Sequence, residues 1–268
     1  MKDSLKKVKD IIRRVIKGGD KKEEIATYPD DVFLVSYPKS GNTWMRFLVG
    51  NYMTGGKVGF SNVIELMPEL QTNPEQCAKV EMRPRFIKSH RGYNRKYPKA
   101  VYILRDGRDV AVSSYYHLVK QGEITKDTPF PVFLRTFATE GIFRLGSWSS
   151  HVESWLRREG KGNVIFVKYE DMLEDPGREL EKVLRFAGVE VDPERVKRAV
   201  KASSFEEMQR SEKEEHDAYF GKYGFKNRDV KFVRKGQKGD WRSHFTKEDE
   251  ETFLKVHGRT MRKLGYIE

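Results

Sequence analysis

Nine residues near the start of the chain, SYPKSGNTW from Ser36 to Trp44, bring together what an anion-binding turn needs. They follow a short apolar run, Val32 to Tyr37, that reads as a buried strand. They lead into a helical stretch from Thr43 to about Met53. A strand that turns at a glycine into a helix offers several backbone N–H groups, and the helix N-terminus adds favourable partial charge. Lys39 contributes a full positive charge. Ser40, Asn42 and Thr43 contribute polar contacts or caps, and Trp44 offers a flat surface to cover a ligand. The pattern is not a Walker A loop, which sets Lys directly after the second of two glycines. Here Lys39 precedes the single Gly41. The bland alternative is an ordinary capped strand-to-helix turn.

Two further clusters are cationic. RDGRDVAVSSYYH, Arg105 to His117, turns at Gly107 after the apolar run Val101 to Leu104, with Arg105 at the strand edge and Ser113 two turns into a helix. Its alternative is a surface network among Arg105, Asp106, Arg108 and Asp109. RKGQKGDWRSHFT, Arg234 to Thr246, is a glycine-containing basic loop suited to phosphate oxygens. Its alternative is a solvated loop or a nucleic-acid contact. Ligands of open α/β sheets lie at the carboxyl ends of strands. Two such ends with basic residues would clasp a nucleotide phosphorylated at both ends.

The elements that must position these clusters alternate. Strand patterns run at Val32 to Tyr37, Arg85 to Lys88, Val101 to Leu104 and Val164 to Tyr169. Helical patterns run at Val110 to Val119, Val132 to Arg158, Gly177 to Ala187, Pro193 to Lys201 and Lys247 to Leu264. The expected class is α/β: a central parallel sheet flanked by helices on both faces. Residues 206 to 231 read as a long loop. Lys2 to Lys17 reads as a basic amphipathic helix, an arm over residues 1–24 before a domain over 25–268. That arm packs on the domain or touches an anionic membrane surface.

The net charge, 52 − 40 = +12, favours anionic ligands. One cysteine, Cys77, excludes an internal disulfide framework and a cysteine-rich metal site. There is no long apolar run and no secretory signal pattern, so the expected location is cytoplasmic, peripheral to the inner face of a membrane if the arm binds lipid.

Together and in this order, the three clusters resemble the cytosolic sulfotransferase family, as do FIKSH (Phe86 to His90), KYED (Lys168 to Asp171) and SSFEEM (Ser203 to Met208). The resemblance spans about Val32 to Thr246. It implies a single-domain, three-layer P-loop-like fold that uses 3′-phosphoadenosine-5′-phosphosulfate (PAPS) as co-substrate, with adenosine 3′,5′-bisphosphate (PAP) as product. It implies that Lys39, Ser40, Gly41, Asn42 and Thr43 hold the 5′-phosphosulfate. Arg105, Ser113, Arg234, Lys235 and Gly236 would hold the 3′-phosphate. Trp44 and Phe205 would sandwich the adenine, with Tyr169 and Ser203 nearby. His90 would be the catalytic base, Lys88 its partner, and Lys39 the group stabilising the leaving oxygen. No metal is expected. The family's dimer motif, a Lys, then Thr-Val, then Glu, appears here as Arg242, Thr246, Lys247 and Glu251, with Lys247 in place of the apolar Val.

The rival readings are a nucleotide kinase-like phosphotransferase and a basic nucleic-acid-binding module; a nucleic-acid partner is not expected. The acceptor is a small molecule, lipid or glycan, bound by segments 54–84, 120–145 and 206–231. Tyr93, Phe130, Phe133, Phe137, Tyr219 and Phe220 are either aromatic pocket residues or simple packing.

Overall fold

The computed structural model describes residues 25–215, 225–227 and 229–268. The N-terminal arm and its basic segment, as well as Tyr219 and Phe220, lie outside the described residues. Four strands, β1 (Val32–Ser36), β2 (Phe86–Ser89), β3 (Lys99–Leu104) and β4 (Val164–Lys168), form one parallel sheet in the order β2-β1-β3-β4. Central β1 shows why its sequence is continuously apolar. Phe33 and Val35 enter one core cluster while Val32 and Leu34 enter the other, so both faces are covered.

The helices among the described residues are, in chain order, α1 (Asn42–Thr54), α2 (Val63–Leu66), α3 (Pro74–Lys79), α4 (Gly107–Gln121), α5 (Phe130–Glu140), α6 (Trp148–Leu156), α7 (Tyr169–Glu174), α8 (Pro176–Ala187), α9 (Pro193–Ala202), α10 (Phe205–Glu214) and α11 (Lys247–Lys263). Met45 and Leu48 of α1, Leu180 and Leu184 of α8 and Val196 of α9 cover one face. Val110 and Leu118 of α4, Phe133 and Phe137 of α5, Trp155 of α6 and Phe253 of α11 cover the other. The result is the helix–sheet–helix α/β architecture that the alternating pattern predicts. No described helix is long and apolar enough to cross a membrane.

Two expectations change. The helix expected over Val132 to Arg158 is two helices, α5 and α6, with a loop between them. Gly141 ends α5 at φ 74°, ψ −153°, and a Cβ there would lie 1.8 Å from the Gly146 carbonyl oxygen. The Tyr37 hydroxyl accepts from Ile142 N and donates to Gly146 O, pinning the loop to the end of β1. The loop expected over 206–231 begins as helix: the Ser204 hydroxyl caps α10 by accepting from Glu207 N. Phe133 and Phe137 are buried in the core, and Phe130 packs against it.

Candidate active site

The chain leaves β1 into a turn with two left-handed residues, Lys39 (φ 71°) and Gly41 (φ 100°). A Cβ on Gly41 would lie 2.6 Å from Cδ2 of Tyr169, so glycine is what lets that ring close on the turn. Asn42 Nδ2 donates to the Leu34 carbonyl at 2.9 Å and to Ser36 Oγ at 3.3 Å, stitching the helix start to the strand. No side chain caps α1, which leaves its first N–H groups available to an anion.

Arg105, at the end of β3, joins the three clusters. Its Nη1 donates to Lys39 O and its Nη2 to Gln237 O, both at 3.2 Å, and its guanidinium lies 4.2 Å from the Tyr169 ring centroid. Its Nε is buried with no hydrogen-bond partner among the described residues. The carboxylates of the same motif are structural. Asp106 caps α4 and pairs with Arg108 at 2.8 Å. Asp109 accepts from Gly239 N at 2.7 Å and Trp241 N at 2.9 Å, fastening the C-terminal loop to α4. Arg234 and Lys235 both pair with the buried Asp240. Burial opposes ionisation of Asp240, but Lys235 and Arg234 outweigh it and hold the carboxyl below its ordinary range. Gly236 sits at φ +61°, where a Cβ would lie 2.5 Å from Phe205 Cδ2.

These residues wall a cleft of about 1000 Å³ at the carboxyl ends of β1 and β3. Lys39, Gly41, Asn42, Thr43, Trp44, Arg105, Ser113, Tyr169, Phe205, Arg234, Lys235 and Gly236 line it, and so do Lys88 and His90. Ser40 and Ser203 are buried behind the wall. Ser203 supports Trp44, whose Nε1 donates to the Ser203 carbonyl at 2.9 Å.

His90 follows β2. Its Nδ1 lies 2.7 Å from the Ser36 carbonyl, an acceptor only, so Nδ1 carries the ring proton and Nε2 keeps its lone pair. Its backbone N–H donates to Gln71 Oε1 at 3.1 Å. Burial and then the Lys88 charge push its pKa down to about 3, so the imidazole is neutral near pH 7. Lys88 donates to Glu69 at 2.8 Å. Burial opposes ionisation of Glu69, but Lys88 and His90 hold its carboxyl at about 2. Lys39 Nζ lies 3.4 Å from His117 Nδ1 and 4.0 Å from the Phe232 ring centroid. Burial, then Lys88 and Arg105, bring its pKa down to about 7.

Several site residues escape the motif reading. Glu69, Gln71, His117 and Gln121 line the cleft, together with Phe143, Phe225 and Phe232. The Ser113–His117–Gln121 spacing of four was visible in the sequence as one helix face. Glu69 and Gln71 carry no local pattern, because pairing of their segment with the outer edge of β2 brings them in. Glu212 of α10 accepts from Phe232 N and Val233 N and pairs with the buried Lys120 at 3.2 Å, shaping the wall from behind. Among the described residues no group of three or more His, Cys, Asp or Glu could hold a metal ion.

The family model for the sulfotransferase domain matches residues 29–265. Sulfotransferase 1E1 of Cavia porcellus is 31% identical over 269 residues, covering 94% of this chain and 90% of the relative. Sulfotransferase 1C2 of Homo sapiens is 30% identical, covering 87% and 83%. The structure of mouse sulfotransferase SULT7A1, complexed with PAP, is similar at TM-score 0.70 and 25% identity, covering 90% of this chain and 87% of that one. Retinol dehydratase shares the fold at TM-score 0.74 and 23% identity, covering 89% and 82%.

Proposed function

We propose, for a chain that belongs to the sulfotransferase family, that His90 takes the acceptor's proton while Lys39 stabilises the leaving oxygen. The coarse activity follows from membership: the protein is an enzyme that transfers a sulfuryl group from PAPS to an acceptor. When bound, that nucleotide supplies a sulfur atom joined to its 5′-phosphate through a bridging oxygen, which leaves with the bonding pair.

The chain's own residues fit such a ligand. PAP is the ligand of the mouse relative, and we assign the same nucleotide to this cleft. The uncapped start of α1 and the Lys39–Thr43 turn suit the 5′ end. Arg105, Ser113, Arg234, Lys235 and Gly236 suit the 3′-phosphate, and Trp44 and Phe205 the adenine. The observation that carries the assignment is Arg105. It touches the backbone of both phosphate-type loops while its Nε stays buried and unpartnered among the described residues. A bound phosphate would complete that guanidinium.

Sulfuryl transfer resembles phosphoryl transfer in needing mainly alignment and electrostatics. The Ser36 carbonyl fixes the His90 tautomer, so Nε2 accepts the proton of the acceptor hydroxyl or amine. Gln71 holds the His90 backbone, and burial, followed by the charge of Lys88, keeps the imidazole from charging beforehand. Lys39 meets the growing negative charge from a position that burial already makes costly for an unpaired cation.

The test is calorimetry with PAP, ATP and a short oligonucleotide, followed by a mass-spectrometric transfer assay. We expect PAP to bind at least about tenfold more tightly than ATP. Tighter binding of ATP would indicate phosphoryl chemistry, and binding only by the oligonucleotide would indicate a nucleic-acid module.

A further inference from the structure

Ser113, His117 and Gln121 recur every four residues along α4, so they share one helix face, and all three line the cleft. The donor nucleotide has a use for Ser113. His117 and Gln121 continue the stripe beyond it along the cleft.

With nucleotide bound and Lys39 charged, its ammonium can only donate, so the His117 Nδ1, 3.4 Å from Lys39 Nζ, accepts and the ring proton sits on Nε2. No partner for Nε2 is found among the described residues. The side-chain oxygen of Gln121 is buried and unpartnered among them as well, so its amide is not committed to the protein. Around this polar pair stand three aromatic rings: Phe143, Phe225 and Phe232 make edge contacts with the His117 imidazole at centroid distances of 6.3, 5.5 and 6.1 Å.

Aromatic faces interleaved with planar hydrogen-bonding groups match a molecule that has both C–H faces and hydroxyl edges. We propose that the acceptor is a polyhydroxylated, sugar-like molecule. Its C–H surface meets the three phenylalanine rings, and a hydroxyl beside the nucleophile pairs with His117 Nε2–H and the Gln121 amide. A planar phenol or a steroid would cover the rings but leave both polar groups buried without partners, a costly arrangement. The inference rests on the sulfuryl-transfer reading. One sugar oxygen forms the new S–O bond, and its proton passes to His90 Nε2. The bond from sulfur to the bridging oxygen breaks, its electron pair leaving on PAP.

The test compares wild type, Gln121→Leu and His117→Phe. Each is assayed with PAPS, a set of methyl glycosides and 2-naphthol, after PAP binding has been measured. For wild type, kcat/KM for at least one glycoside should exceed that for 2-naphthol. Each variant should lower the glycoside-to-naphthol ratio by about tenfold or more, mainly through the glycoside KM. Retained PAP binding by Gln121→Leu shows that this variant is folded. Should PAP bind wild type while 2-naphthol is preferred, or while both variants leave the ratio within twofold, the sugar assignment falls and the donor site stands. Should PAP fail to bind wild type, the sulfuryl-transfer reading falls and takes the acceptor with it.

Discussion

Lys39 holds the sharpest electrostatic conflict in the cleft. Burial, Lys88 and Arg105 all disfavour its charge, and its pKa falls to about 7. An anionic nucleotide reverses the balance, so Lys39 deprotonated above pH 7 takes a proton back on binding. We expect calorimetry at pH 8, in buffers of different ionisation enthalpy, to show uptake of up to about one proton with PAP. In Lys39→Arg, whose side chain is always charged, that uptake should vanish. Equal proton uptake by the variant would remove Lys39 from the linkage. His90 presents the opposite case, an imidazole kept neutral by burial and Lys88. His90→Ala should retain PAP binding and lose about 10²–10⁴-fold in kcat; full turnover by that variant would take His90 out of the mechanism.

The cationic loop that ends the site is shaped by helices behind it. Glu212 on α10 holds Phe232 N and Val233 N and pairs with buried Lys120. Removing one partner of a buried pair typically costs about 3–5 kcal/mol. Glu212→Ala should therefore lower thermal stability and weaken PAP binding together, because the Arg234–Gly236 segment follows directly on Val233. A normal melting temperature with normal PAP affinity would show that the loop is held otherwise. At Gly236 the backbone itself is the constraint. Alanine at φ +61° costs about 1–2 kcal/mol and meets the Phe205 ring. Gly236→Ala should weaken PAP about tenfold or more, and an unchanged Kd would mean that the loop relaxes freely. Thr246, in the altered dimer motif, acts within its own helix, forming a capping box with Asp249 at the start of α11.

Across the described residues as a whole, burial keeps four imidazoles neutral: His90 near 3, His151 and His257 near 4, and His117 well below its usual value. The unfolded chain protonates these histidines at about 6.5 while the folded one refuses the proton. Their stabilising contribution is therefore complete above pH 6.5 and is lost as pH falls toward 4. Asp109 and Glu170, raised by burial, pull the other way at lower pH. The melting temperature should fall between pH 7 and 5, and a flat profile there would show that the histidines titrate while folded. The parallel sheet, its strands and the three basic turns that meet at one cleft were legible in the amino-acid order, because a strand buried on both faces must be apolar throughout and a glycine turn rich in Lys and Arg stands out locally. Val32–Ser36 and the Lys39–Gly41 turn are the clearest cases. The break at Gly141, the helical start of 205–214, and the arrival of Glu69, Gln71, His117 and Phe232 around one cleft were decided by tertiary structure. Each depends on contacts between segments far apart in the chain: Tyr37 with Gly146, Glu69 with Lys88, Lys39 with His117. Local pattern encodes the basic turns, whereas the remaining wall of the cleft comes into being only when distant segments pack beside them.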